Sequence, residues 1–151
     1  MVCSSNCSIA GLVSLIFIII MKSGQIKSVS VKGSMAMWHS VREVNLGERL
    51  NYALITTNES FLIVDLQFQD ISATILRNAY PRMGRLSPCE RFAVVSFTDS
   101  TVYLYDTRTG TPITKIHGVP RGAANFLLSN DSSRLFFASN TTICLWNVGR
   151  S

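Results

Sequence analysis

Chemistry needs titratable or nucleophilic side chains at workable spacings, and this chain of 151 residues carries few: two histidines, four cysteines and nine carboxylates. His39 and His117 belong to no metal or nucleophile motif. His117 opens the segment HGVPRG after an expected strand, where a solvated loop side chain accounts for it. Cys3, Cys7, Cys89 and Cys144 match no zinc spacing, because Cys3 and Cys7 have no second Cys or His pair to join. They read as free thiols of a reducing, cytoplasmic compartment. No Gly-rich phosphate loop, paired-carboxylate motif or G-x-S-x-G occurs. Asp65, Asp99 and Asp106 fall at expected turns, where bonding to nearby backbone explains them. No catalytic residue, metal site or cofactor is expected.

What remains is surface chemistry. The segment RNAYPRMGRLSPCER gathers Arg77, Arg82, Arg85 and Arg91 around Tyr80, and HGVPRGAAN adds Arg121 at the corresponding place further on. Arg82, Arg85 and Arg121 could form a basic patch for an acidic or phosphorylated peptide, with Tyr80 as apolar anchor. The plainer reading is a solvated loop whose arginines keep the protein soluble. The formal net charge is +5, yet the fourteen Lys and Arg never run together. That dispersal argues against a nucleic-acid stripe, which would cluster cations on one face.

The elements that must position such loops are set by a repeat. NESFLIVDL from Asn58, DSTVYLYDT from Asp99 and NTTICLWNV from Asn140 begin 41 residues apart, twice over. Each follows an apolar segment opened by Arg: RLNYALIT at Arg49, RFAVVSFT at Arg91 and RLFFAS at Arg134. ISATIL and PITKI follow the first two copies, with Ile75 and Ile116 again 41 apart. A fixed period in this range marks a repeat architecture of four short strands per unit. Nearly continuous apolar runs predict sheets covered on both faces. Asn58, Asp99 and Asn140 occupy the turn between second and third strands, where positive φ is expected, and Gly110 is expected to close the next hairpin at positive φ.

On these residues the chain resembles the WD40 repeat family. TDSTVYLYD carries the D-x-T-[IV]-x-[LV]-[WY]-D pattern at Asp99, Thr101, Val102, Leu104, Tyr105 and Asp106. NTTICLWN carries it with Asn140 and Asn147 in place of Asp and with Trp146 at the hallmark position. NESFLIVDL has Val64 where Trp or Tyr is usual, and the Gly-His pair common ahead of the first strand is absent, so divergent blades held by apolar packing are expected. The resemblance covers roughly residues 41–148 and implies an all-β fold of about three WD40-like β-propeller blades, 41–82, 83–123 and 124–151, with 25–32 a strand of a preceding or closing blade. Three blades fall short of the usual four to eight. An incomplete propeller, part of a larger one, is expected, its uncapped sheets leaving an apolar face bare. The function implied is a non-catalytic protein–protein interaction scaffold.

Residues 1–23 form a short hydrophobic leader. IAGLVSLIFIIIM, residues 9–21, would span only about 20 Å as a helix against a hydrocarbon core of roughly 30 Å. No Lys or Arg precedes Lys22, as a cleavable signal would need. The segment is open between a marginal membrane anchor with the repeats facing the cytosol, a buried strand of a neighbouring blade, and a leader unrelated to the domain. Sequons at Asn6, Asn58, Asn130 and Asn140 read as by-products of turn chemistry. A membrane-anchored scaffold and a nucleic-acid-binding propeller are the alternatives to a cytoplasmic interaction protein.

Overall fold

The alternation of side chains along single strands organises the molecule. In YALITT, Ala53 and Ile55 point one way and Leu54 the other, and all three are buried. A strand can bury both faces only between two other layers. The computed structural model describes residues 2–7, 12–20, 23–120 and 125–148, the first two segments as backbone. Among them lie fourteen strands in four antiparallel sheets, none closed into a barrel.

The first sheet joins β1 (Val2–Cys7), β2 (Leu12–Ile20) and β3 (Ile26–Ser34). After the short helix α1 (Met35–His39), the second sheet is the meander β4 (Val41–Leu46), β5 (Tyr52–Thr57), β6 (Phe61–Asp65) and β7 (Asp70–Ile75). The third is β8 (Pro81–Leu86), β9 (Phe92–Phe97), β10 (Val102–Asp106) and β11 (Pro112–Lys115). The fourth holds β12 (Asn125–Leu128), β13 (Arg134–Ala138) and β14 (Ile143–Asn147).

Three cores lie between consecutive sheets. Val29, Val31 and Trp38 meet Ala53, Ile55, Leu62 and Val64. Leu54, Phe61 and Ile63, on the opposite face of the second sheet, meet Ala93, Val95 and Phe97. Val94, Val102 and Leu104 then meet Phe126, Leu135 and Phe137. Each inner sheet thus has a backward face toward its predecessor and a forward face toward its successor. Phe61 and Phe97 cross the second of these cores edge to face, centroids 5.5 Å apart.

The repeat extends to irregularities. β-bulges recur at Val41/Glu43 and Pro81/Met83, and again at Ile63/Val64 and Leu104/Tyr105. Left-handed residues recur at Leu50, Glu90 and Ser132, with φ of 57°, 60° and 60°. Gln69 and Gly110 form a second such pair, at 55° and 69°. Gly110 thus has the positive φ its turn requires. At the turn between second and third strands, none of Asn58, Asp99 and Asn140 has the positive φ expected of it; in the third sheet it falls on Ser100 (66°), and Asp99 works through its carboxylate instead.

At the N-terminal end, β2 runs antiparallel to β3 in unbroken register from Leu12↔Ser34 to Ile20↔Ile26. Within the apolar segment 9–21, Leu12–Ile20 is a strand, and its β-branched and aromatic residues suit an extended backbone. Among the described residues, no helix is long and apolar enough to cross a membrane. The strand expected at 25–32 spans Ile26–Ser34 and pairs with β2. Helix α1 was not foreseen; Ser34 caps it by accepting the Met37 N–H, and its Trp38 packs where a Cβ on Gly33 would lie, with ring carbons 2.7 Å away.

Candidate docking surfaces

Turns at the strand ends are built by local carboxylate chemistry. Asp99 accepts from the Thr101 hydroxyl (2.6 Å) and N–H (3.1 Å); Asp106 accepts from the Thr109 N–H (2.9 Å) and hydroxyl (3.1 Å). The Thr101 hydroxyl holds Asp99 below the usual carboxylate range, and the Thr109 N–H does the same for Asp106. Asp131 accepts from the hydroxyls of Ser129 and Ser133 (2.7 Å for Ser133) and the Ser133 N–H, which lower it to about 2. Tyr105 is buried in the core between second and third sheets. Trp146 is half-buried against the core between third and fourth. Asn140 and Asn147 are exposed at the ends of the turn and strand that they bound.

Polar ties stitch neighbouring sheets about one repeat apart. The buried Glu90 accepts from the Asn51 amide (2.9 Å), the Asn51 N–H (3.2 Å) and the Tyr52 N–H (3.3 Å). Its equivalent Ser132 accepts from the Cys89 N–H at 3.1 Å. Asn45 accepts from the Leu86 N–H, and Arg42 donates to the carbonyls of Pro81 and Arg82. Apolar packing is therefore not the whole attachment between sheets. Around Cys89, burial is the largest influence and pushes the thiol up. Hydrogen bonds with Ser132, Ser87 and the Arg91 backbone, with the Arg91 charge, outweigh it and leave the thiol below its ordinary value. Cys89 borders a depression of about 310 Å³ with Arg91 and Arg108.

The basic patch expected from sequence is only partly assembled. Tyr80 is 67% exposed and borders a depression of about 360 Å³ with Glu59, Leu76 and Arg77. Arg82 is exposed just inside β8. Arg85, by contrast, is half-buried and ion-paired with Glu43 of the second sheet, so its charge is already answered. Arg77, not Arg85, flanks Tyr80; its guanidinium lies 3.8 Å over the Tyr103 ring and donates to the Tyr103 hydroxyl at 2.7 Å. Arg121 lies outside the described residues. Cys89 and Cys144 are free thiols.

A larger surface was missed at residue level. On the forward face of the fourth sheet, Leu127, Phe136 and Leu145 form one cross-strand row, and Ile143 lies opposite Ala138. These four large residues are 68%, 37%, 53% and 77% exposed. The signal was available in the 41-residue offset, since Ile143 and Leu145 correspond to Val102 and Leu104.

No family model and no curated protein matches the chain. Solved structures resemble it widely, in 505 chains, so the fold is common and by itself selects no activity. One such structure is the hydrazine synthase of Kuenenia stuttgartiensis, 13% identical, with a TM-score of 0.60. The similarity takes in 91% of this chain but 40% of that one, so the chain spans about two fifths of its length. At that identity the likeness is one of fold alone.

Proposed function

We propose that the chain is a non-catalytic protein–protein interaction scaffold of WD40-like blades, part of a larger β-propeller in the cytoplasm. The observation that carries this reading is the repetition of one sheet design. Asp65 and Asp106 each accept the N–H three residues on in the turn after the third strand, bulges and left-handed residues recur at equivalent places, and the inner sheets each offer one face backward and one forward. Such a stack holds loops at fixed spacing along its edges, which is what a docking platform needs. The free thiols Cys89 and Cys144 suit a reducing compartment.

Within that scaffold, the edge bearing Tyr80 and Arg82 is the peptide-binding element. Tyr80 supplies exposed aromatic area beside a depression, and Arg82 a free cation for a carboxylate or phosphate. Arg85 supports the edge through Glu43 and is left out of the binding set. Titration of fluorescent acidic and phosphorylated peptides is the test. Binding should weaken with salt and fall about tenfold in Tyr80→Ala and Arg82→Ala, the loss of one hot-spot contact. Binding that ignores both substitutions sinks the assignment of this edge. Steeply salt-dependent binding to RNA instead would favour the nucleic-acid alternative.

A further inference from the structure

We infer that the edge bearing Tyr80 and Arg82 also takes a lysine or arginine side chain of its partner, at Glu59, so that the bound peptide is basic at one end, acidic at the other and apolar between. The inference rests on the docking reading above and gives that peptide a direction.

Glu59 stands at the tip of the turn between β5 and β6, and the turn closes without its carboxylate. The Thr57 hydroxyl accepts from the N–H groups of Glu59 (3.2 Å) and Ser60 (3.0 Å) and donates to the Ser60 carbonyl (3.0 Å). The Asn58 N–H donates to the Ser40 carbonyl at 3.0 Å, which fixes the turn beside the end of α1. The Glu59 carboxylate is exposed and has no hydrogen bond or ion pair among the described residues. At the 41-residue period Glu59 corresponds to Ser100 and Thr141, so the repeat needs no acid at this place. In the third sheet the turn carboxylate, Asp99, is used up locally by Thr101. Glu59 is a charge that the fold leaves unused.

Two depressions meet at it. One, of about 330 Å³, lies between α1 and the turn, with Met37, Thr74 and Leu76 in its walls and Glu59 as its one charged lining residue among those described. That combination fits the apolar stem and cationic head of lysine or arginine, the stem along Met37 and Leu76 and the head at the carboxylate. The other, of about 360 Å³, is the depression beside Tyr80, and Glu59 and Leu76 line both. Leu76 and Tyr80 are each about two-thirds exposed, which gives an apolar residue a place between the charged ends. Arg82 follows two residues after Tyr80. Arg77 also borders the second depression, but its guanidinium is engaged by the Tyr103 ring and hydroxyl. Along this edge the open charges are therefore Glu59 and Arg82, with Leu76 and Tyr80 between. A wholly acidic peptide answers Arg82 and sets like charge against Glu59; a peptide of both signs answers both.

A ladder of fluorescent synthetic peptides, titrated against the full chain at low salt, reads this directly. Each carries one aspartate or phosphoserine, one leucine, and one lysine moved stepwise away from the acid on either side, in a Gly-Ser background. One lysine position, on one side of the acid only, should tighten binding about threefold over glutamine at that position, as a partly exposed ion pair does. The gain should vanish in Glu59→Gln. Glu59→Lys should reverse it, so that glutamate at the same peptide position binds better than lysine, which a merely structural role for Glu59 would not produce. Binding that depends on Tyr80 and Arg82 but gains from lysine at no position overturns the inference and leaves the docking edge standing. So does a lysine gain that survives Glu59→Gln. Peptides that do not bind, or that bind regardless of Tyr80→Ala and Arg82→Ala, fail both readings together. Circular dichroism melting accompanies each variant; should one not fold, the one-sided lysine gain on the native chain still decides.

Discussion

Glu90 shows how much one side chain can tie together. Its backbone is left-handed, its side chain is 3% exposed, and its two carboxylate oxygens accept three hydrogen bonds from the turn of the preceding sheet. Gly47 is required opposite it, since the carboxylate fills the space a Cβ at 47 would take. Hydrogen bonds to a charged group are worth about 1.5–3 kcal/mol net, and their loss here strands buried donors. Glu90→Ala is therefore expected to cost about 2–3 kcal/mol in urea unfolding. Gly47→Ala should add little on top of it, because both changes break the same tie. The turn aspartates make a second prediction. Asp99, Asp106 and Asp131 all titrate lower in the folded chain than the ordinary 3.8. The unfolded chain therefore binds protons first as acid is added. Their stabilisation is complete above the unfolded value and drains as pH falls through it toward the folded value, about 2 for Asp131. Melting temperature followed down from pH 5 should fall over that window, and Asp131→Asn should flatten the fall. An unchanged slope would mean that the Ser129 and Ser133 hydroxyls do not favour the ionised form.

Single elements are limited by how closely the sheets approach. A Cβ on Gly84 of β8 would stand 2.7 Å from Leu54 Cδ2 and 2.9 Å from Phe61 Cε1, inside the core between second and third sheets. Gly84→Ala should cost about 1–3 kcal/mol by overpacking. Gly110→Ala meets Ala73 of the second sheet and also must hold φ of 69°. Its chemical-denaturation midpoint should fall below that of Gly84→Ala, because strain adds to the clash. A Gly84→Ala protein as stable as the native chain would mean that Leu54 and Phe61 shift freely. These two glycines also mark what the sequence could reveal. Gly110 was legible because its turn is local: Asp106, Thr109 and Gly110 lie within five positions. Gly84 was not, since its reason is a leucine thirty residues away. Arg85 was mistaken for free surface charge for the same cause, its partner Glu43 being 42 residues distant. Residues 9–21 stayed ambiguous because a continuous apolar run has no period; the pairing of Leu12–Ile20 with β3 is what makes that stretch a strand. The sheet repeat, by contrast, was plain, as turn chemistry and alternation recur every 41 residues.

At the scale of the whole molecule, the question is whether four stacked sheets melt as one. Linear stacks hold together through nearest-neighbour interfaces, so cooperativity requires each interface to outweigh the instability of a lone sheet. Three apolar cores of similar make-up join the sheets here. Polar ties run alongside them: Ser30 N–H to Gln69 across the first interface, Glu90 to Asn51 across the second, and Cys89 N–H to Ser132 across the third. No interface is left to packing alone. The two tryptophans happen to report on opposite ends: Trp38 is buried between the first and second sheets, and Trp146 is half-buried between the third and fourth. Trp38→Phe and Trp146→Phe variants would each leave one emitter, so fluorescence during urea unfolding follows each end separately. Coincident midpoints are expected, because losing either terminal sheet bares a core face that the neighbouring sheet cannot cover elsewhere. An earlier transition at Trp38 would mean that the first sheet is a separately melting cover over Ala53, Ile55, Leu62 and Val64. The backward face of the second sheet would then be the surface open to partners.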